Sequence, residues 1–440
     1  MGNSAKTSVR WLVAAMVGGF AFVSYLERMN ISITAAAMMP ELSLSPTQMG
    51  QVFSSFLWGY AIFQIPAGWV GDAIGPRRTL TVAALLWCLT TALTGLVPGF
   101  FVTGTVAVVV SLCTLRFWLG AAEAATFPVG ARAIRDWTPL HERGVANSMM
   151  IAGASIAAAV TSPLISWLMV LVGWRKSFLI ASLVAFLLAI IWQSSVTDYP
   201  EQHKWMGEWE LKLIKDGRAE TTRSQPSQSL RSLLTNRNIL LLSASYICEG
   251  YVLFIFVFWL YLYLIQVRGF TLLSGGFAAS LPWLTAFACA PLGGFICDKI
   301  TEKKGRVPAA RITIMIGYGV SGILLFAAAL AGSRTATMAA LSLSIGGLYF
   351  AEPAFWATAV HLSGERAGAS SALMNTAGIL GGIVSTSLVP ILVKYFGWIT
   401  ALASGAVVAL ACTAAWIVMG NLGFGSDIPE SSMSAGTSEP

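Results

Sequence analysis

The sequence predicts an all-α membrane protein: twelve transmembrane helices arranged as two pseudo-symmetric six-helix bundles. Three observations lead there. Of the 440 residues, 56% are hydrophobic and 11% charged, where soluble domains carry roughly 25% charged residues, so a water-soluble enzyme is excluded. The apolar residues arrive in runs of about 20, the length a helix needs to cross a hydrocarbon layer roughly 30 Å thick. Short strings also recur half a chain apart. Gly68-Trp-Val-Gly-Asp72 is echoed by Gly294-Phe-Ile-Cys-Asp298, 226 residues later, and Gly173-Trp174 by Gly397-Trp398, 224 later. A near-constant offset of half the chain marks a duplicated bundle.

The elements follow in order. The first bundle, residues 1–195, holds spans near 11–38, 47–71, 77–97, 103–128, 144–171 and 176–195. The first of these is too long for a cleaved leader and carries Glu27 and Arg28, so it reads as a retained helix. A polar linker, 196–238, follows; in it Trp205, Trp209 and Leu213 recur at helical spacing among Lys204, Lys212 and Lys215. That pattern predicts an amphipathic helix lying at the cytoplasmic interface. The second bundle, 239–420, holds spans near 239–267, 272–297, 309–331, 335–360, 368–393 and 399–420. The tail, 421–440, sets Asp427, Glu430 and Glu439 among Ser, Gly and Pro and reads as disordered.

Twelve spans put both termini on one side. With the N-terminus inside, inner segments hold twenty of the 27 Lys and Arg residues, outer segments five, and the spans Arg28 and Arg116. This bias places both ends in the cytoplasm. The net charge of +7 reflects the same bias, so it points to no nucleic-acid partner. The six cysteines sit inside or at the ends of apolar runs, and the three histidines, His141, His203 and His361, are far apart. Neither set has the spacing of a metal site or a disulfide framework. No cofactor is expected.

Two kinds of motif carry function. The first is Gly68-Trp-Val-Gly-Asp72-Ala-Ile-Gly75-Pro-Arg77-Arg78. Its small residues let two helices approach closely, and Asp72 with the arginines reads as a charge cluster at the cytoplasmic face. Such a cluster would latch the bundles in one state, with Asp298 its counterpart in the second half.

The second kind is the charges inside spans, each of which costs roughly 2.5–3.5 kcal/mol on insertion scales. In span 1, Tyr25, Arg28 and Ser32 share a helical face and offer an aromatic edge, a guanidinium fork and a hydroxyl to one ligand, so Tyr25 and Arg28 are candidate substrate-binding residues. A guanidinium there suits a carboxylate, because it can donate two parallel hydrogen bonds. Glu27 points about 100° away and meets a different neighbour, or pairs structurally with Arg28. In span 4, Arg116 and Glu123 lie seven residues apart, on one face at a separation of about 10 Å. That leaves room between them for substrate, water or Glu27, and makes Arg116 a candidate substrate-binding residue. A carboxylate in a low-dielectric interior holds a proton more readily, so Glu123 is the first candidate proton carrier and Glu27 the second. Glu249 in span 7 and Glu352 in span 10 have no assigned role.

These strings resemble the anion:cation symporter family of the major facilitator superfamily, bacterial relatives of sialin and vesicular glutamate transporters. The resemblance rests on Tyr25, Glu27, Arg28 and Asn30 in span 1, and on Trp58, Tyr60, Gln64, Pro66 and Gly68 in span 2. Arg116, Glu123 and Phe127-Pro128 extend it through span 4, and Phe355-Trp356 and Leu373-Met-Asn375-Thr-Ala-Gly378 into the second half. It implies uptake of an organic anion driven by protons, with Arg28 gripping the carboxylate and Tyr60, Trp356 and Asn375 lining the pocket. Three positions depart from the family pattern. The span 1 acid is Glu27 rather than Asp; Ile379 stands where a second Asn is common; and span 5 (Met149–Ala154) lacks a glutamine that some sugar-acid carriers have. A pocket with fewer amides suits a less hydroxylated anion, so a sugar acid and a small or aromatic carboxylate both stay open.

The expectation is a monomeric alternating-access importer of an organic anion with protons, embedded in the lipid bilayer of the bacterial inner membrane. An exchanger or proton-coupled exporter is the alternative within transport. A transporter-like sensor would need an output domain that the linker lacks. An intramembrane enzyme would need a nucleophile and base that no span contains.

Overall fold

The computed structural model describes residues 7–96, 98–102, 104–219, 235–363 and 367–421. The predicted disordered tail beyond 421 and the linker segment 220–234 lie outside the described residues. Regular structure among the described residues is helical, apart from one isolated bridge between Pro98 and Val102.

Helix α1 (Val9–Glu41) is buried around most of its circumference, as an inner helix must be. Helix α2 (Pro46–Ile74) opens on a reciprocal cap: Ser45 Oγ accepts from the Gln48 N–H at 3.3 Å, Gln48 Oε1 accepts from the Ser45 N–H at 2.9 Å, and Pro46 fills the first helical position. Gly75 ends α2, and α3 (Pro76–Leu96) starts at once. The fourth span is split into α4 (Thr105–Glu123) and α5 (Thr126–Trp137). The cause is Pro128, whose nitrogen has no hydrogen to offer the Ala124 carbonyl one turn back. The break leaves Glu123 as the last residue of α4.

Helix α6 (Arg143–Ser195) is two rods, because at Gly173 the backbone swings to φ 81°, ψ 163°. After the linker helix α7 (Glu208–Ala219) come α8 (Arg237–Phe258) and α9 (Leu260–Gln266), one span interrupted at Trp259. Then follow α10 (Leu272–Lys304), α11 (Arg306–Leu330), α12 (Arg334–Ser363) and α13 (Ala367–Asn421). The last is again two rods, bent at Gly397 with φ 81°, ψ 174°. With α4–α5 and α8–α9 each taken as one span and the two bent helices as two, the described residues supply twelve span-length segments.

The duplication read from sequence is visible in the backbone. Gly173 and Gly397 hold nearly the same dihedrals at matching bends, a region only glycine adopts without strain. Gly75 and Gly305, at φ 86° and 82°, likewise precede the third helix of each half.

The chain forms two compact units. The first comprises Met1–Ser227 with Phe254–Leu284 and Gly382–Ala401; the second comprises Gln228–Leu253, Thr285–Gly381 and Leu402–Pro440. Within the first, α1 packs on α6, α2 on α4 and α3 on α6. The α2–α4 crossing is a backbone contact: a Cβ at Gly59 would strike the Phe117 carbonyl, and one at Gly120 the Phe56 carbonyl. The same unit joins α2 to the α8–α9 junction and to α13. Phe53 stacks on Phe258 at 4.8 Å and meets Trp259 edge-on at 5.2 Å, while Ser54 and Ser387 hydroxyls lie 3.3 Å apart. In the second unit α11 packs along α12.

The linker helix docks on the start of α1. The Glu210 carboxylate accepts from the backbone N–H of Val9 at 3.1 Å and of Arg10 at 3.0 Å, from Arg10 Nη1 at 2.9 Å and from Thr7 Oγ1 at 2.5 Å. Arg10 Nε reaches on to Glu142 at 2.6 Å. The stripe read from the sequence is not the docked face. Trp205 precedes the helix and Trp209 is exposed, whereas Glu210 and Ile214 are fully buried. The unpaired N–H groups and positive dipole end of α1 draw in a carboxylate rather than an indole.

Candidate functional site

The charged residues of α1 and α4 form two buried layers inside the first unit. In one layer, Arg28 donates to a single oxygen of Glu123: Nε to Oε2 at 3.1 Å and Nη2 to Oε2 at 2.9 Å. Ser24 Oγ donates to the same oxygen at 3.0 Å. Glu123 is fully buried, and its Oε1 has no hydrogen-bond partner among the described residues. Three aromatic rings surround the guanidinium: its carbon lies 4.7 Å from the Tyr25 centroid, 5.1 Å from Tyr60 and 5.2 Å from Phe56. Such rings favour a cation. Gly59 and Gly120 make the cage possible, because the close α2–α4 crossing brings Phe56 and Tyr60 against α4 next to Arg28.

The other layer lies on a different side of α1. Glu27 is fully buried and accepts a hydrogen bond from Thr91 of α3. Arg116 donates from Nη1 to the Glu27 backbone carbonyl at 3.2 Å, and its guanidinium carbon sits 5.9 Å from the Phe178 ring. Its Nε and Nη2, Glu27 Oε1 and both polar atoms of the Asn30 amide are buried without hydrogen-bond partners among the described residues. Glu27 and Arg28 therefore do not pair with each other. Arg116 and Glu123 share a face of α4, yet each serves a different residue of α1.

At the far end of α2, Asp72 pairs with Arg132 of α5 at 3.2 Å. Arg132 also donates to the Gly71 carbonyl and lies 3.4 Å from Asp136. The sequence reading set Asp72 beside Arg77 and Arg78, but the structure corrects that pairing. Arg77 lies beyond the Gly75 bend and gives its guanidinium to the Gln193 carbonyl, at 3.1 and 2.6 Å, and its N–H to Asp198 at 3.2 Å. Arg78 is exposed, as is Asp298 at the corresponding place in the second unit, and Gly68 faces open space.

In the second unit, Trp356 of α12 is partly exposed and donates from Nε1 to Glu352 Oε1 at 2.6 Å. Tyr246 of α8 donates its hydroxyl to the same oxygen at 2.6 Å. The Tyr246 ring lies 6.4 Å from that of Trp356 and 5.2 Å from Phe355. Asn375, on α13, is half-buried.

Comparison with known proteins decides the family. The Major Facilitator Superfamily model matches residues 17–386. The chain belongs to the major facilitator superfamily.

Its relatives agree. A probable galactarate/D-glucarate transporter of Bacillus subtilis is 32% identical over 419 residues, covering 93% of this chain and 90% of that one. A probable sulfoacetate transporter of Cupriavidus necator is 29% identical over 89% of both chains. A D-galactonate transporter of Escherichia coli is 28% identical over 95% of this chain and 97% of that one. Among solved structures, a bacterial homologue of the human lysosomal transporter Spinster, inward-facing and occupied, superposes with a TM-score of 0.77. The match covers 95% of this chain and 98% of that one at 15% identity. A D-xylose-proton symporter does so at 0.69, covering 96% and 98% at 16% identity. Those two likenesses establish the fold. The protein is thus a multi-pass membrane transporter of the major facilitator fold, not an enzyme.

Several residues of this carrier's polar layers escaped the sequence reading. Phe56 stands one turn before Tyr60 on the same face of α2, so helical spacing could have found it. Thr91 and Ser24 gave no signal, since hydroxyls are common in transmembrane helices. Arg132 was counted only as part of the positive-inside bias, and Tyr246 lies in an apolar run where aromatics are ordinary.

Proposed function

We propose that this carrier imports an organic anion together with protons by alternating access, acting as a monomer in the bacterial inner membrane with both termini cytoplasmic. The observation that carries the reading is the arrangement of Arg28: a buried guanidinium in an aromatic cage, with Nε and Nη2 both donating to one carboxylate oxygen of Glu123. An internal carboxylate thus occupies the place that a substrate carboxylate would take.

Exchange between the two follows from charge balance. Ionised Glu123 holds Arg28 and competes with the anion. Once protonated, Glu123 loses most of its attraction for the guanidinium, and Arg28 can turn its fork to a substrate carboxylate. On the other side, loss of the anion leaves Arg28 uncompensated, which drives the proton off Glu123 and restores the pair, because an unpaired buried charge is costly. Glu27 is the second proton carrier, and Arg116, which donates to the Glu27 carbonyl, is a further substrate-binding residue. Tyr25 and Tyr60 offer hydroxyls at the edge of the cage, and Trp356 and Asn375 are the candidate substrate-binding residues of the second half. The Asp72–Arg132 contact beside Gly68, Gly75, Arg77 and Arg78 serves as one gating point, with Asp298 in the second half.

The relatives' names, galactarate, D-glucarate, sulfoacetate and D-galactonate, support an organic acid as substrate. Two of those carriers are named for compounds with two acidic groups. A dianion entering with two protons, one each on Glu123 and Glu27, would cross without net charge. A monoanion with two protons would carry one positive charge inward, favoured by about 2.3 kcal/mol per 100 mV of inside-negative potential.

The test uses purified carrier in liposomes with an inward proton gradient and labelled aldarates, hexonates, hexuronates, sulfonated acids and aromatic acids. One compound should accumulate above its outside concentration. Glu123→Gln should abolish that accumulation while leaving exchange of internal for external substrate. Accumulation that survives Glu123→Gln unchanged would refute the assigned coupling. Transport only of neutral or cationic compounds would refute the anion.

A further inference from the structure

The second unit contains a pair of acids that the proposed cycle does not use. Glu249 of α8 is 4% exposed, and among the described residues it has no hydrogen-bond or ion-pair partner. It stands about one helical turn after Tyr246, whose hydroxyl bonds Glu352 of α12, so the two acids flank the same stretch of α8. Glu352 Oε1 takes two short hydrogen bonds, from the Tyr246 hydroxyl and the Trp356 indole, both at 2.6 Å, while its Oε2 is buried without a partner. From α11, Tyr318 is fully buried with its ring 5.7 Å from that of Phe355, and its hydroxyl also has no hydrogen-bond partner among the described residues. The thiol of Cys412 on α13 donates to the Ser245 carbonyl of α8 at 3.7 Å, one turn before Glu249. None of these groups is a cation.

We infer that Glu249 and Glu352 form a proton-binding pair in the second bundle, with one proton on Glu249 and the negative charge on Glu352. The charge argument excludes the alternatives. Two ionised carboxylates side by side, buried and without a cation, repel each other and each lose hydration. Two neutral ones would waste the paired donors on Oε1, which are worth most to an anion. One proton for two carboxylates satisfies both conditions. The donors decide its position: Glu352 has two and is the anion, Glu249 has none and keeps the proton.

The pair touches transport through Trp356, whose indole is the link between Glu352 and the exposed side of the second unit. Protonating Glu352 as well would weaken that bond and free the ring. The site is distinct from Glu27 and Glu123 and stands whether or not those two carry the coupled proton.

Infrared spectroscopy of the carrier in lipid at neutral pH tests it directly, in a Glu27→Gln/Glu123→Gln background that removes the first bundle's buried carboxyls. The carbonyl band of a protonated carboxylic acid should be present and should shift in heavy water. Adding Glu249→Gln should abolish it, Glu249→Asp should move it, and Glu352→Gln should leave it in place. Size-exclusion profiles matched to the parent show that each variant is folded, and Glu249→Asp retains the readout should Glu249→Gln fail to fold. No such band in the background protein, or a band untouched by both Glu249 substitutions, would overturn the pair. Loss of the band in Glu352→Gln with retention in Glu249→Gln would overturn the assignment of the proton to Glu249.

Discussion

Arg28 and Glu123 meet through one carboxylate oxygen, with the guanidinium Nε and Nη2 converging on Oε2 and Oε1 left bare. A fork matched to a carboxylate would use both oxygens. The geometry instead leaves the pair half-made, with Ser24 as a third donor to the loaded oxygen. A half-made pair is easier to exchange than a bidentate one, which is what a carrier requires of a residue that must hold its ligand and then release it.

Replacing Arg28 separates grip from charge. Arg28→Lys keeps the charge but loses the planar fork and its close contacts with the Tyr25, Tyr60 and Phe56 rings. Hydrogen bonds to charged groups are worth about 1.5–3 kcal/mol, so apparent substrate affinity should fall about 10- to 100-fold. Arg28→Ala should abolish uptake and lower thermal stability, since it strands a buried Glu123 at a cost of about 3–5 kcal/mol. Adding Glu123→Gln should recover part of that stability but no transport. Uptake kinetics and melting curves read both effects, and an Arg28→Lys carrier with unchanged affinity would refute the cage.

The bends at Gly173 and Gly397 give a clean test of backbone geometry, because a Cβ at either position meets nothing within 4 Å. Any penalty on Gly173→Ala or Gly397→Ala therefore comes from the dihedral angle alone, about 1–3 kcal/mol each. Gly144, in the first turn of α6, also faces open space but is helical, so Gly144→Ala should be neutral or stabilising by up to about 1 kcal/mol. Gly144→Ala should melt at or above wild type, and Gly173→Ala and Gly397→Ala below it. Equal effects at all three would contradict the assigned backbone.

At the α2–α4 crossing the penalty has the opposite origin. Gly59 and Gly120 are helical, but their faces touch carbonyl groups of the facing helix. Gly59→Ala or Gly120→Ala must push the helices apart, at about 1–3 kcal/mol by the usual cost of overpacking. The shift also draws Tyr60 and Phe56 away from Arg28, so substrate affinity should drop along with stability. A variant that loses stability but keeps full affinity would show that the cage does not depend on the crossing.

Sequence and structure part company in a consistent way. The twelve spans, the duplication and the charges of α1 and α4 were legible because each leaves a local mark: a run of apolar residues, a repeated string, or an ionised group where lipid makes it expensive. Partnerships were not legible, because they depend on which helices touch. Arg116 and Glu123 point the same way by helical arithmetic, yet nothing in that arithmetic gives Glu123 to Arg28 and Arg116 to the Glu27 carbonyl. Asp72 likewise looked bound to its neighbours in sequence, until the Gly75 bend carried Arg77 off toward Gln193.

That reassignment is itself testable. Asp72→Asn and Arg132→Gln should change transport alike, and the double variant should be no worse than either single one. Arg77→Gln should add to Asp72→Asn independently. Stability should hardly move with Asp72→Asn, because Asp72 is largely exposed and such pairs contribute about 0–1 kcal/mol. Additivity between Asp72 and Arg132, or coupling between Asp72 and Arg77, would restore the pairing suggested by sequence proximity.

The linker clamp predicts a pH dependence whose sign is fixed by Glu210. Burial acts to raise the affinity of its carboxyl for protons, but the hydrogen bonds from Thr7, the Arg10 N–H and side chain, and the Val9 N–H outweigh it, holding the group below its ordinary value. A carboxyl depressed on folding adds stability above its unfolded pKa of roughly 4.3. That contribution is lost as the pH falls through the lower folded value. Wild type should therefore melt above Glu210→Gln by a constant margin at neutral and mildly acidic pH, and the margin should shrink below about pH 4.3. Glu210→Gln should also expose the start of α1, so Thr7→Cys, read in both backgrounds, should label faster with a water-soluble maleimide when Glu210 is replaced. A margin that widens on acidification, or labelling that ignores Glu210, would mean that the linker helix is not held by this carboxylate.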